Sequence, residues 1–582
     1  MLKGVPVSPG TGIGRAFIYR DVSLDYSYRI FSGKEKELER LHEAIKAFKT
    51  EWQKRAANLE TKMGRKESAI VLGQLILLDD PFLNQEMKKA IDLGQVAEAA
   101  VSAATGHVAQ MYLSMSDEMM QARAQDMYCI REELIKLLLY GKTISLSELP
   151  PGTVFVTEEL THFICANFPV GNIEAILTVT GGKTSHSAIL ARALGIPAIM
   201  GIEDLLLNVT DDALVLVDGT SGEFYVNPDE DILEEGRQKK NEWRENQEAL
   251  LVYMTRPSMD KDGKSYLVQC NISSLGEAYL AKKYGSDGVG LFRTEMLFMD
   301  RQIPPSEEEQ LNTYLKVADI MGEKGLVIRT MDIGGDKKVP YLNRQQEPNP
   351  FLGFRGIRQS LADPALFGMQ IRAVLRAGVQ GKNIKIMLPL VTGVDELLEA
   401  KSFIEKEKES LEEKGIPFNP HLPVGIMVET PAAVQLASVL AKEADFFSIG
   451  TNDLTQYILA ADRLNPRMDY LYSHFHPAVL KSIEMVILAA KSQGIPVGIC
   501  GEAAASPGFI PIYISFGLDE WSVNPAEVPF VRRELSLWDI KDANEVTKKA
   551  LEFSTTSELS SFLQKEVRSK AFLRSASSLS PR

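Results

Sequence analysis

The residues of this chain best suited to chemistry are His186, a set of arginines that close apolar runs, the carboxylates Glu429 and Asp453, and Cys500. His186 lies in Gly181-Gly182-Lys183-Thr184-Ser185-His186-Ser187-Ala188-Ile189-Leu190-Ala191-Arg192-Ala193-Leu194-Gly195-Ile196-Pro197-Ala198. The paired glycines allow a sharp turn, Thr184 or Ser185 can cap the free N–H groups of a following helix, and Gly195 with Pro197 ends that helix after about two turns. The spacing predicts His186 in the first helical turn. Orphan N–H groups and the positive end of the helix dipole there would hold an anion against the ring, and a neutral imidazole can attack phosphorus.

Arg293 closes Gly290-Leu291-Phe292-Arg293-Thr294-Glu295, Arg329 opens Arg329-Thr330-Met331-Asp332-Ile333-Gly334-Gly335-Asp336-Lys337, and Arg355 and Arg358 stand in Gly353-Phe354-Arg355-Gly356-Ile357-Arg358. Guanidinium groups bind phosphate and carboxylate in a two-pronged fashion, so four of them at one place imply a substrate with more than one anionic group. Glu429 ends Val424-Gly425-Ile426-Met427-Val428-Glu429, and Asp453 is expected to end the strand beginning at Phe446. Two carboxylates with neither His nor Cys beside them suit an oxygen-preferring Mg²⁺ that also binds substrate oxygens. Cations, a metal site and a histidine together supply what phosphoryl transfer requires: neutralised charge and reactants held in line. Cys500 closes Val497-Gly498-Ile499-Cys500 at the same kind of position.

The elements that must position these groups follow from the pattern of the chain. Residues 1 to about 20 read as a turn and one short strand, Gly14 to Tyr19. Between Ser32 and Leu149 the only proline is Pro81, and Leu38, Leu41, Ile45, Phe48 and Trp52 recur at helical spacing, which predicts a helical bundle opened by a Ser32/Glu35 capping box. From Thr153 the period becomes that of strands, with the His186 helix among them. Residues 229–258 are charged and helix-favouring up to Pro257 and read as a linker helix on which the His186 domain swings. Beyond it, strand-like runs alternate with helical ones eight times, at Leu267–Ile272, Gly288–Glu295, Gly325–Asp332, Ile384–Val391, Val424–Glu429, Phe446–Asp453, Pro496–Glu502 and Glu520–Asn524. That alternation predicts a (β/α)₈ barrel, whose strand C-terminal ends converge on one mouth. The Ser-rich end reads as a tail.

Composition narrows the function classes. The 582 residues suffice for three or four domains. Lys plus Arg total 64 against 78 Asp plus Glu, a net charge of −14, which argues against nucleic-acid or membrane binding. The four cysteines are scattered without ligand spacing, which suggests a reducing cytoplasm and neither disulfides nor zinc. No signal-peptide core or membrane-length apolar run stands out, so a soluble cytoplasmic protein is expected.

The His186 stretch resembles the phosphohistidine segment shared by enzyme I of the phosphoenolpyruvate-dependent sugar phosphotransferase system, phosphoenolpyruvate synthase and pyruvate phosphate dikinase. Ser185, where the two ATP-using relatives usually have Cys, leans towards enzyme I, as do the barrel strings around Arg293, Arg329, Glu429 and Asp453. The family's usual Asp-Leu-Thr-Pro-Ser-x-Thr run stands here as Glu159-Leu160-Thr161-His162-Phe163-Ile164-Cys165, and its usual Arg before Thr-Ser-His is Lys183.

The resemblance implies a phosphohistidine swivelling domain, residues 1–30 and 145–228, with an inserted helical domain, 31–144, that binds the phosphocarrier protein HPr. The linker at 229–258, a phosphoenolpyruvate-binding TIM barrel at 259–540 and a tail at 541–582 follow. It further implies that Glu429 and Asp453 ligate Mg²⁺, that Arg293 and Arg329 grip the phosphate of phosphoenolpyruvate, and that Asn452 and Arg463 help hold that substrate. Arg355 and Lys337 are counted with the substrate-binding set, and Asp453 with both. Cys500 is expected to protonate the methylene carbon of enolpyruvate, as reversible chemistry requires such a donor. A homodimer through the barrel is also implied. A dikinase using ATP is the first rival, though the chain has neither a P-loop nor spare length for a nucleotide domain. A noncatalytic regulatory copy is the second.

Overall fold

The computed structural model describes residues 2–19, 26–63, 75, 77–113, 118–140, 146, 149–160, 164, 169–182, 186–299, 301, 303–334, 339, 341–342, 347–380, 383–463, 465–468 and 470–577. The chain divides into two compact units, Met1–Lys240 and Asn241–Arg582. Among the described residues no helix is long and apolar enough to cross a membrane.

The first unit carries strands β1 (Leu2–Lys3), β2 (Val5–Ser8) and β3 (Thr11–Tyr19), then helices Lys34–Met63, Pro81–Asp92, Ala97–Leu113 and Glu118–Tyr140. β4 (Thr153–Thr157), β5 (Ile173–Thr178), the helix His186–Leu194, β6 (Ala198–Met200), β7 (Leu214–Asp218) and β8 (Glu223–Val226) follow. The eight strands form one sheet in the order β1-β8-β7-β3-β4-β5-β6-β2. β3 runs parallel to β4, with Arg15 opposite Thr153 and Tyr19 opposite Thr157, and antiparallel to β7. The helices are therefore an insertion between two neighbouring strands of a single sheet, the kind of site where added chain is tolerated because its two ends already lie close together. The N-terminal segment supplies three strands where the local pattern suggests one. β1 and β2 are too short to declare themselves and gain their hydrogen bonds from β8 and β6, some 200 residues away in sequence.

The inserted helices close over a core that includes Leu41, Phe48, Trp52, Leu83, Met87, Ile91, Ile130, Leu134 and Leu138, all buried. The expected Ser32/Glu35 capping box does not form. Helix 34–63 starts two residues after Ser32, and Ser32 instead donates from its amide (3.2 Å) and Oγ (2.5 Å) to the carboxylate of Glu37. Glu37 is buried, and the Ala97 amide also donates to it, at 3.0 Å. A carboxylate tied to two helices outcompetes the exposed Glu35.

The linker helix runs Glu230–Leu251 and is followed by a short 3₁₀ turn, Val252–Met254. Arg532 fixes that turn to the barrel by donating from Nη1 to the carbonyls of Tyr253 (3.2 Å) and Met254 (3.0 Å) and from Nη2 to Asp287 Oδ1 (2.7 Å). Strands β9 (Leu267–Ile272), β10 (Gly288–Arg293), β11 (Gly325–Arg329), β12 (Ile384–Leu388), β13 (Val424–Val428), β14 (Phe447–Gly450), β15 (Val497–Cys500) and β16 (Glu520–Val523) form a closed barrel. Every neighbouring pair in it is parallel, and β16 returns to β9 with Trp521 opposite Val268. Near-continuous apolar strands such as VGIMV fit a sheet buried on both faces. The expected eight β/α units thus close as a TIM barrel.

The segment after the barrel is not a loose tail over its described length. It forms helices Ile540–Ala550 and Thr556–Ser577, and Leu559 and Leu563, one turn apart, are buried in the barrel's own core cluster. The serines and threonines around them masked a two-residue apolar stripe whose value depends on the surface it meets.

Candidate active site

The mouth of the barrel gathers most of the groups singled out in the sequence. Arg293 and Arg329 are the last residues of β10 and β11 and stand opposite each other in register. Glu429 directly follows β13, and Cys500 ends β15 opposite Gly450. Short strands carry these side chains because each apolar run ends where its layer of the barrel interior is full, so the next residue faces the rim.

Around them runs a buried network of alternating charge. Arg329 Nη2 donates to Glu295 Oε1 at 2.9 Å and its Nη1 lies 3.3 Å from Asp332 Oδ2. Arg355 grips Asp332 with two bonds, Nε to Oδ1 at 2.9 Å and Nη2 to Oδ2 at 2.7 Å, and reaches Asp453 Oδ2 at 3.4 Å. Arg463 Nη1 lies 3.3 Å from Asp453 Oδ1, which is buried and, among the described residues, accepts no hydrogen bond. Glu429 Oε1 accepts from the Leu390 amide at 2.7 Å. One carboxylate oxygen from each of Asp332, Glu429 and Asp453 lies within 4.8 Å of the others, and all three residues are buried. Three buried carboxylates, with Asp453 Oδ1 accepting no hydrogen bond from the described residues, fit a hard cation, which prefers oxygen donors.

Charge and burial set the protonation of the mouth. Burial, reinforced by the charges of Asp453 and Asp332 and opposed by Arg329 and Arg355, pushes Glu429 up to about 8. Burial pushes the Cys500 thiol up to about 11, although Ser448 Oγ donates to its Sγ at 3.6 Å and Arg293 opposes the rise. The thiol is therefore protonated at neutral pH, and it donates to the Ile449 carbonyl at 3.4 Å. Arg293 is lowered, first by burial and then by the like charge of Arg329. Arg329 is raised despite its burial, because Glu295, Asp332 and Glu429 surround it. Among the described residues nothing forms a hydrogen bond or ion pair with the Arg293 guanidinium, which leaves a partly buried cation free for an incoming anion.

Several sequence expectations change in detail. Asp453 does not end a strand. β14 stops at Gly450, and Asn452 and Asp453 lie in the first turn of helix Thr451–Leu459, which aims Asp453 at the mouth from a helix start. Asn452 Oδ1 accepts from the Glu502 amide at 3.0 Å, so Asn452 braces the loop after Cys500. Gly501, with φ +91, makes that approach possible, as a Cβ there would stand 2.9 Å from the same Oδ1. Arg358 does not join the cluster: it donates to the carbonyls of Leu352 (3.3 Å) and Gly353 (3.1 Å) and holds its own loop. Arg355 is committed to carboxylates rather than left open. Lys337 lies outside the described residues, as do Thr184 and Ser185 and most of the 159–165 run. His186 opens the helix His186–Leu194, which ends at Gly195 with φ +66. Asp332 and Glu295 were not singled out from the sequence. The available signal was their position, three and two residues beyond an arginine that closes a strand.

Family models match along the chain: PEP-utilising enzyme, N-terminal, over residues 3–123; PEP-utilising enzyme, mobile domain, over 149–222; and PEP-utilising enzyme, PEP-binding domain, over 247–539. A phosphoenolpyruvate-protein phosphotransferase of Staphylococcus epidermidis is 36% identical over 561 residues, covering 96% of this chain and 98% of that protein. The protein of the same name from Bacillus subtilis is 36% identical over 97% of this chain and 99% of its own length. That of Geobacillus stearothermophilus is 37% identical over 97% and 98%. The first match spans β2, β3 and most of the inserted helices, the second β4 to β7 with the His186 helix, and the third the whole barrel, and the chain belongs to the phosphoenolpyruvate-protein phosphotransferase family of PEP-utilising enzymes.

Proposed function

We propose that this chain takes the phosphoryl group of phosphoenolpyruvate onto His186, releases pyruvate, and passes the group to a histidine of the carrier HPr. The observation that carries the substrate site is Arg293. A partly buried guanidinium without a partner among the described residues, in register with Arg329 and within electrostatic reach of a thiol held protonated, is built for an anion that ends its reaction by taking up a proton. In this reading Arg293 and Arg329 hold the phosphate, Arg463, Asn452 and Lys337 complete the substrate site, and Arg355, expected from the sequence as a direct ligand, acts instead by fixing Asp332 and Asp453. Glu429 and Asp453, with Asp332 beside them, hold Mg²⁺, which when bound neutralises charge on the substrate's carboxylate and phosphate oxygens.

The chain's own groups balance the step. The His186 imidazole forms the N–P bond as the bond from phosphorus to the enol oxygen breaks. The enolate carbon then takes the Cys500 proton, giving pyruvate, and solvent restores the thiol. Arg329, fixed by Glu295 and Asp332, meets the charge that spreads over phosphorus without reorganising. HPr as acceptor, the homodimer and the cytoplasmic location rest on the family and on composition. The test is incubation of the full chain with phosphoenolpyruvate labelled at phosphorus, with and without ATP and HPr. Acid-labile label on wild type, independent of ATP and absent from His186→Ala, is expected. Label on another residue of the variant would overturn the assignment, and a requirement for ATP would favour a dikinase.

A further inference from the structure

Behind the two arginines runs a chain of buried uncharged polar groups that the reaction does not itself use. Thr294, the residue after Arg293, donates from Oγ1 to the Arg329 carbonyl at 2.9 Å. Gln370, on helix Pro364–Ala377, donates from Nε2 to Thr294 Oγ1 at 3.1 Å and to the Tyr314 hydroxyl at 3.3 Å. Its Oε1 accepts from the amide of Met331, between Arg329 and Asp332, at 2.9 Å. The Tyr314 hydroxyl donates in turn to Gln310 Oε1 at 3.2 Å, and Gln310 Nε2 to the Pro305 carbonyl at 3.1 Å. Gln370 is 2% exposed and Thr294, Tyr314 and Gln310 are fully buried.

A buried amide must recover what it loses on leaving water, and an apolar side chain would fill the same helix position without that demand. Gln370 recovers it by bonding both segments that carry the arginines. We infer that Gln370 is a positioning residue that, through Thr294 and the Met331 amide, sets the register between the Arg293 and Arg329 guanidinium groups. This rests on the reading of that arginine pair as the phosphate site. The two strand ends meet directly through backbone pairing, the Thr294 bond and Glu295 Oε1, which accepts from Arg329 Nη2 at 2.9 Å and from the Asp332 amide at 3.1 Å, and a shift in either segment would separate the guanidinium groups. Gln370 opposes such a shift from the helix layer. Tyr314 lies on the far side of Gln370 and bonds neither segment, which provides an internal control.

The experiment measures phosphoenolpyruvate binding with Mg²⁺ by calorimetry, and thermal unfolding without ligand, on the full chain and on Gln370→Met, Thr294→Val, Tyr314→Phe and Arg329→Met. Displacing a charged clamp by a fraction of its length weakens binding about tenfold or more. Gln370→Met and Thr294→Val are expected to lose that much, while Tyr314→Phe loses a similar amount of thermal stability and binds within about twofold of wild type. Wild-type binding by both Gln370→Met and Thr294→Val would overturn the inference, as would binding losses that simply track stability through all three network variants. Wild-type binding by Arg329→Met would instead overturn the reading of the phosphate site.

Discussion

If Glu429 holds the metal as proposed, a cation entering the metal-free protein must displace a proton from it. Its carboxyl is pushed up to about 8 by burial and by Asp453 and Asp332, so at pH 7 about nine molecules in ten carry the proton there. A metal ion that requires the carboxylate therefore binds with an apparent dissociation constant multiplied by about 1 + 10^(8 − pH), roughly tenfold weaker at pH 7 and a hundredfold weaker at pH 6 than at alkaline pH. Close to one proton should leave per ion bound at pH 7. The assay is titration with Mn²⁺, following the free ion by its paramagnetic resonance and the proton count by calorimetry in buffers of different ionisation enthalpy. Glu429→Gln should bind more weakly and lose the steep pH dependence. The raised proton affinity also has a stability consequence of definite sign. The folded state holds the proton more tightly than the unfolded chain, whose carboxyl titrates near 4.5, so this contribution is full below 4.5 and is lost as pH rises towards 8. Its size is a few kcal/mol, at about 1.4 kcal/mol for each tenfold gain in proton affinity on folding. Glu429→Gln should flatten the melting temperature of the metal-free protein across that window. Mn²⁺ affinity that is constant between pH 6 and 8, with no proton released, would refute the reasoning.

Arg293→Met should abolish tight phosphoenolpyruvate binding while leaving the melting temperature unchanged or raised, because the side chain bonds to none of the described residues and sits against a like charge; a clear loss of stability by calorimetry would contradict this. Cys500→Ala should still exchange phosphate between His186 and HPr but form pyruvate slowly, and wild-type pyruvate release measured by coupled assay would assign the acid elsewhere. The Cys500 thiol, pushed up to about 11, should resist iodoacetamide at pH 8 and react faster as pH rises, which mass spectrometry of the alkylated peptide would follow. A fragment ending near Gln247, which retains the compact unit Met1–Lys240, should accept phosphate from phospho-HPr and not from phosphoenolpyruvate, as labelling of the fragment would report.

The local pattern was sufficient wherever one residue's neighbours in sequence are also its physical environment. The helix that begins at His186 could be read from two glycines before it and Gly195 after it, because helix ends are set by backbone freedom within a few residues. The eight barrel strands could be read because each is an apolar run long enough to cross one buried layer, and the positions of Arg293, Arg329 and Cys500 at their ends followed. Pairing was a different matter. No spacing rule joins Arg355 to Asp332 or Glu295 to Arg329, and the sequence offered Arg358 as readily as Arg355. β1 and β2 were invisible for the same reason, since their hydrogen bonds come from the far end of the domain. The residue types, their order and the ends of the elements that bear them were thus set by the sequence directly. Which charges meet, that Asp332 completes a carboxylate triad with Glu429 and Asp453, and that Glu429 holds its proton to about 8 were decided only when the barrel closed, because closure brings strands distant in sequence to one mouth and removes the water that would have screened them.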